Sequence, residues 1–187
     1  MPYPSQVTGT TIIETATALI ERDGVESLSL ARIATALGIR APSLYRYFDS
    51  KSALLQAVNL QTTQDLIAAL IEAAASSSQT HADRIMALAH AYRAFAHAHP
   101  RAYALAYSMT DPAAQPDPAA LAALAQQVQA VVAPITGEAA SLAALRGLWA
   151  LVHGFVILEL AGQFQRGGDL TSAYTSAVEA YVRGLSE

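Results

Sequence analysis

Cysteine is absent from all 187 residues, which excludes a disulfide framework, a thiolate metal site and a thiol nucleophile. Charge is scarce too: Asp, Glu, Lys and Arg make up 14% of the chain against 53% hydrophobic residues. The sequence contains no Gly-x-Ser-x-Gly element, no glycine-rich phosphate loop and no His-Glu-x-x-His helix, so no catalytic residue and no enzymatic activity are expected. Five histidines are present, but neither a pair at i, i+4 nor an adjacent carboxylate pair accompanies His90, His97 and His99, so no metal or other cofactor is expected. The opening MPYPSQVTGT lacks a basic stretch followed by an apolar one, so no signal peptide is expected. The most apolar segment, 142–164, is interrupted by Arg146, His153, Glu159 and Gln163. It falls short of the roughly 18 uninterrupted apolar residues of a membrane span. These absences predict a cytoplasmic protein that does not associate with a membrane.

What is abundant is alanine and leucine, a composition suited to closely packed helices and poorly suited to strands. The expected fold class is all-α, with room for one bundle and a small appendage. The charge that exists is segregated. Between residues 32 and 51, Arg32, Arg40, Arg46 and Lys51 face the single acid Asp49, whereas from residue 61 onward six arginines face ten acids. A basic patch on an acidic body is the electrostatic footprint of a nucleic-acid binder.

Periodicity predicts about nine helices. The first spans about 10–22 on the stripe Ile12, Ile13, Ala16, Leu19 and Ile20. Ser29 is placed to cap a second, in which Leu30, Ile33, Ala34 and Leu37 form one face before Gly38 ends it. Pro42 suits the first turn of a third, in which Leu44 and Phe48 point inward and Ala41, Pro42, Ser43, Tyr45, Arg46 and Tyr47 cover the outer surface. Two short helices joined by a glycine-containing turn, over a preceding helix, make a helix-turn-helix. Further helices are predicted at about 50–75, 81–98, 100–109, 118–134, 138–165 and 169–183. The eighth, 138–165, is apolar almost all round and so must be buried all round. Pairing of the eighth and ninth helices with their copies in a homodimer accounts for the surplus.

The run SLARIATALGIRAPSLYRYFDSKSALLQAV, residues 29–58, closely resembles the DNA-binding domain of the TetR family of bacterial transcriptional regulators, in Ile33-Ala34, Gly38-Ile39, Ser43-Leu44-Tyr45, Phe48, Lys51 and Leu54-Leu55. The C-terminal part is similar to a subgroup with a Trp-x-x-x-His-Gly element, matched by Trp149, His153 and Gly154. The resemblance implies an N-terminal three-helix DNA-binding domain, residues 1–49, and an effector-binding and dimerisation helical domain, residues 50–187. It also implies a homodimer on a palindromic operator in double-stranded DNA, released by a small-molecule effector. Position by position it implies phosphate contacts from Ser29, Arg32 and Lys51, and a recognition surface of Arg40, Ala41, Pro42, Ser43, Tyr45, Arg46 and Tyr47.

Arginine's fork addresses guanine O6 and N7 together, so Arg46, and after it Arg40, are the candidates for base reading. Tyr92, Phe95, Tyr103, Tyr107 and Met109 gather near the bend between the fifth and sixth helices, where a bundle can open a pocket. With Trp149 and His153 they are the candidate ligand residues, and they suggest an apolar or aromatic effector; core packing is the competing reading for each. The alternative to a DNA-binding regulator is a helical dimeric small-molecule-binding protein, or an enzyme, without operator binding.

Overall fold

The computed structural model describes residues 7–77, 80–107 and 112–185. Every regular element among them is helical. They fall into two compact units, one within Met1–Thr63 and His99–Pro118, the other within Gln64–Ala98 and Ala119–Glu187.

In the first unit, α1 (Gly9–Asp23) starts where the Thr8 hydroxyl accepts from the Thr11 N–H, and it buries Ile12, Ala16, Leu19 and Ile20. A 3-10 turn, Val25–Ser27, leads to Ser29, which caps α2 (Leu30–Ala36) by accepting from the Arg32 N–H. The exit from α2 depends on Gly38. Its φ of +66° lets the Ile39 N–H reach the Ala34 carbonyl at 2.9 Å and its own N–H reach Thr35 at 3.2 Å, the paired bonds of a Schellman turn. This turn sets the angle between α2 and the next element.

That element is a 3-10 helix over Ala41–Arg46, where the sequence predicts an α-helix from Pro42 to Phe48. Six residues with a proline, which lacks an N–H, in second place leave little room for i→i−4 bonds. The Ser43 and Tyr47 N–H groups instead bond to Arg40 and Leu44, three residues back, at 2.9 Å each. Ser50 then caps α3 (Lys51–Ser76) through the Ala53 N–H. Leu44, Leu54 and Val58 are fully buried with Ile12, Ile20 and Ile33, so the recognition segment is fixed by one leucine pressed into the core of this unit.

The same unit contains α5 (Pro100–Tyr107) and a short 3-10 turn, Pro112–Ala114. α1 and α5 cap one another. The Glu21 carboxylate accepts from the Arg101 and Ala102 N–H groups at 3.3 and 2.7 Å, and the Arg101 guanidinium donates to the Glu21 and Arg22 carbonyls. The end carbonyls of one helix and the leading N–H groups of the other are satisfied by two side chains.

The second unit holds the later part of α3, α4 (His81–Ala98), α6 (Pro118–Thr136) from Ala119 on, α7 (Glu138–Leu160) and α8 (Leu170–Gly184). α4 buries Ile85, Leu88, Ala89, Tyr92 and Ala96, and α7 buries Leu145, Leu148, Val152 and Val156. α8 is capped by Asp169, which accepts from the Thr171 and Ser172 N–H groups, and buries Tyr174, Val178 and Val182. The helix predicted to reach Gln165 stops at Leu160. A second Schellman turn at Gly162 ends it, with the Gln163 N–H on the Leu158 carbonyl at 2.8 Å.

By length and mean composition α6 and α7 are each apolar enough to cross a membrane, a test that core helices of bundles also pass. α7 nevertheless carries Glu159, held by the α4 residue Arg93. One face of α7 is buried in the unit, while Leu142, Ile157 and Leu158 on the same helix stay exposed.

Candidate DNA-binding surface

The Ala41–Arg46 segment presents its side chains outward around the buried Leu44. Tyr45 is 57% exposed, and Arg40 and Arg46 are exposed. None of these three side chains has a hydrogen-bond or ion-pair partner among the described residues. Arg40 stands at the N-terminal edge of the segment and Arg46 at its end, so two unpaired guanidinium groups flank an unpaired phenol. Pro42 is exposed, and Ala41 and Ser43 are half-buried.

The other predicted contact residues are already engaged. The Tyr47 hydroxyl donates to the Val7 carbonyl at 2.7 Å, tying the segment to the residue before the α1 cap. Lys51 donates to the Val25 carbonyl at 3.3 Å, a long bond that leaves two ammonium protons unused. The Ser29 hydroxyl is the α2 cap. Arg32 donates to the Ser27 carbonyl at 2.9 Å and pairs with Asp23.

Asp23 is absent from the sequence-based reading, since a partner nine residues away across a turn leaves no periodic trace. Arg22 first, and then Arg32, hold its carboxyl down to about 2. At neutral pH Asp23 is therefore a fixed negative charge beside Arg32.

The predicted ligand residues separate into two groups. Tyr92, Phe95, Trp149 and His153 belong to the second unit. The Tyr92 hydroxyl and His153 Nδ1 are hydrogen-bonded at 3.0 Å, and the Tyr92 ring meets Trp149 edge-on with centroids 5.1 Å apart. Burial pushes the His153 pKa below its ordinary value, which favours the neutral ring. Phe95 is half-buried on α4. Tyr103 and Tyr107 lie in the first unit, rings tilted against each other with centroids 4.9 Å apart. Met109 lies outside the described residues.

His97 and His90 have local partners. His97 Nε2 is 3.1 Å from Glu159 Oε2, and His90 meets the Tyr174 ring edge-on.

A capped helix, a glycine turn and a short cationic segment seated on a helical core define a helix-turn-helix DNA-binding protein. Residues 12–58 match the family described as bacterial regulatory proteins, tetR family, and residues 85–181 match the tetracyclin repressor-like C-terminal domain. The chain belongs to the TetR family and is a DNA-binding transcriptional regulator. It is 35% identical over 187 residues to the uncharacterized HTH-type transcriptional regulator Rv0681 of Mycobacterium tuberculosis, covering 97% of this chain and 83% of that one. Among solved structures, a protein of unknown function from Rhodococcus sp. RHA1 superposes with a TM-score of 0.82 at 26% identity over 100% of both chains. A TetR variant from Acinetobacter baumannii AYE in complex with minocycline shares the fold, with a TM-score of 0.70 at 18% identity and 96% of each chain covered.

Proposed function

We propose that the protein is a cytoplasmic, ligand-responsive repressor that binds a palindromic operator as a homodimer and leaves it when a small apolar or aromatic effector binds. The observation that carries this reading is the unpaired trio Arg40, Tyr45 and Arg46 held outward by the buried Leu44. Unpaired cations on a short, rigid element are available to base edges and phosphates. Arg46 is assigned guanine reading, Tyr45 a phosphate or thymine-methyl contact, and Ser29, Arg32 and Lys51 the phosphates, with Arg32 oriented by Asp23. Residues 1–49, with Lys51 just beyond them, are assigned to DNA contact, and the rest of residues 50–187 to effector binding and dimerisation.

Dimerisation is assigned to α7 and α8. The exposed Leu142, Ile157 and Leu158 on α7 support this, because an apolar helix face calls for a partner. Recognition segments in successive major grooves then ask for half-sites about 34–36 Å apart. Effector binding is assigned to the aromatic residues around Tyr92, Trp149 and His153, with Phe95, all in the second unit. That a variant of this fold from Acinetobacter holds minocycline is in keeping with a small-molecule effector. Selection of bound duplexes from a random library tests the reading. A two-fold symmetric enriched motif is expected; a folded protein that enriches nothing, with or without added aromatic compounds, contradicts it.

A further inference from the structure

Within the first unit a cleft of about 660 Å³ opens between the Gly24–Glu26 turn, the start of α3, α5 and the 112–115 turn. Its floor is apolar, formed by Leu55, Ala104 and Leu105, and its rim carries Lys51, Arg101 and Glu26. The wall at the 112–115 turn is hung on α3 by two side-chain amides: Asn59 Nδ2 donates to the Ala114 carbonyl at 2.8 Å and Gln56 Nε2 to the Gln115 carbonyl at 2.9 Å. A cleft of this size with an apolar floor and a few polar groups has the form of a small-molecule site.

The rim chemistry narrows the ligand. Arg101 spends only Nη1 on the α1 carbonyls, so its Nε and Nη2 donors, the edge that grips a carboxylate in a fork, have no partner among the described residues. Lys51, lining the same cleft, has spare ammonium protons. Two cations with unused donors oppose the one acid, Glu26. We infer that this cleft is a binding site for an amphipathic carboxylate, a medium-length aliphatic or arylalkyl acid, with its apolar body on Leu55 and Leu105 and its carboxylate held by Arg101 and Lys51. The cleft shares no lining residue with the aromatic group proposed for the effector. Because Lys51 is also assigned to phosphate, occupancy draws that ammonium away from DNA. This last consequence rests on the DNA-contact assignment; the binding test does not.

The test is titration of the full-length, DNA-free protein with sodium octanoate, followed by amide NMR, with octanamide as the uncharged comparison. Expected are saturable shifts at Leu55, Ala104 and Leu105, about tenfold weaker binding of octanamide, and severalfold weaker octanoate binding by Lys51→Gln, whose side chain is exposed. Ala104→Phe, at an exposed position on the floor, is expected to block binding; if it disturbs the fold, Lys51→Gln and the octanamide comparison decide alone. Equal affinity for octanoate and octanamide, shifts confined to α4, α7 and α8, or no saturable shift at several millimolar would overturn the inference.

Discussion

Glu159 interrupts the most apolar helix of the chain, and its surroundings explain why a charge is tolerated there. Its side chain is 8% exposed, Arg93 grips both carboxylate oxygens, and His97 lies 3.1 Å away. Arg93 also bonds to the Thr171 hydroxyl and lies 5.6 Å over the Tyr174 ring, so one guanidinium joins α4, α7 and α8. Arg93 foremost, then His97, holds the Glu159 carboxyl down to about 2, from an ordinary value of 4.5. A depressed folded pKa means that the unfolded chain takes up the proton first. The stabilisation is therefore present above about 4.5 and is lost as pH falls toward 2. Glu159→Gln leaves Arg93 half-paired in a largely buried place, so we expect a loss of about 3 kcal/mol near neutral pH. The difference between variant and parent should shrink on acidification through that window; chemical denaturation at a series of pH values measures both, and a pH-independent difference would contradict the pairing. From sequence, Glu159 reads only as a break in a hydrophobic run. Its partner lies 66 residues away, a distance that local patterning does not span.

At the scale of elements, caps and turns were the legible part, because their chemistry is local. Ser29 and Gly38 stand where the sequence calls for them, and the Schellman turn at Gly38 reproduces the break in apolar periodicity between Leu37 and Leu44. The 3-10 form of Ala41–Arg46 was not legible, since it turns on which of two close carbonyls an N–H takes, and the stop at Leu160 was missed because the apolar run to Phe164 masks the local signal of Gly162. Helix packing was less legible still. Gly147 on α7 has no role in the sequence reading, yet a Cβ there would run into the Tyr181 hydroxyl and lie 2.8 Å from Cζ of the same ring. That ring is held over the glycine by a 2.9 Å bond from its hydroxyl to the Ala144 carbonyl. Gly147→Ala should therefore destabilise by about 1–3 kcal/mol through overpacking, and the cost should largely vanish in a Tyr181→Ala background. Thermal unfolding of the four members of that cycle decides it; an equal cost in both backgrounds would mean that the contact does not matter.

For the whole molecule, the all-α class and the DNA-binding character were readable because each rests on composition and a short local pattern. The proposed aromatic ligand residues were readable only as a list. Sequence proximity to the bend joined Tyr92 and Phe95 with Tyr103 and Tyr107, although the two pairs belong to different compact units. The homodimer rests on surplus apolar surface, of which Leu158, 44% exposed near the end of α7, is a clear instance. Leu158→Glu places a charge in the proposed interface. Sedimentation at micromolar concentration should show a dimer for the parent and a monomer, still helical, for the variant, and a parent that sediments as a monomer would remove the interface. The unpaired side chains of Arg40, Tyr45 and Arg46 are proposed to read DNA, which is tested by comparing parent and Arg46→Ala on the selected duplex and on versions with each base pair changed, across a range of salt. We predict that Arg46→Ala weakens binding by about 1–3 kcal/mol and relaxes preference at one position in each half-site, while both proteins keep a steep salt dependence from the phosphate contacts. Unchanged affinity with an unchanged base preference would contradict it.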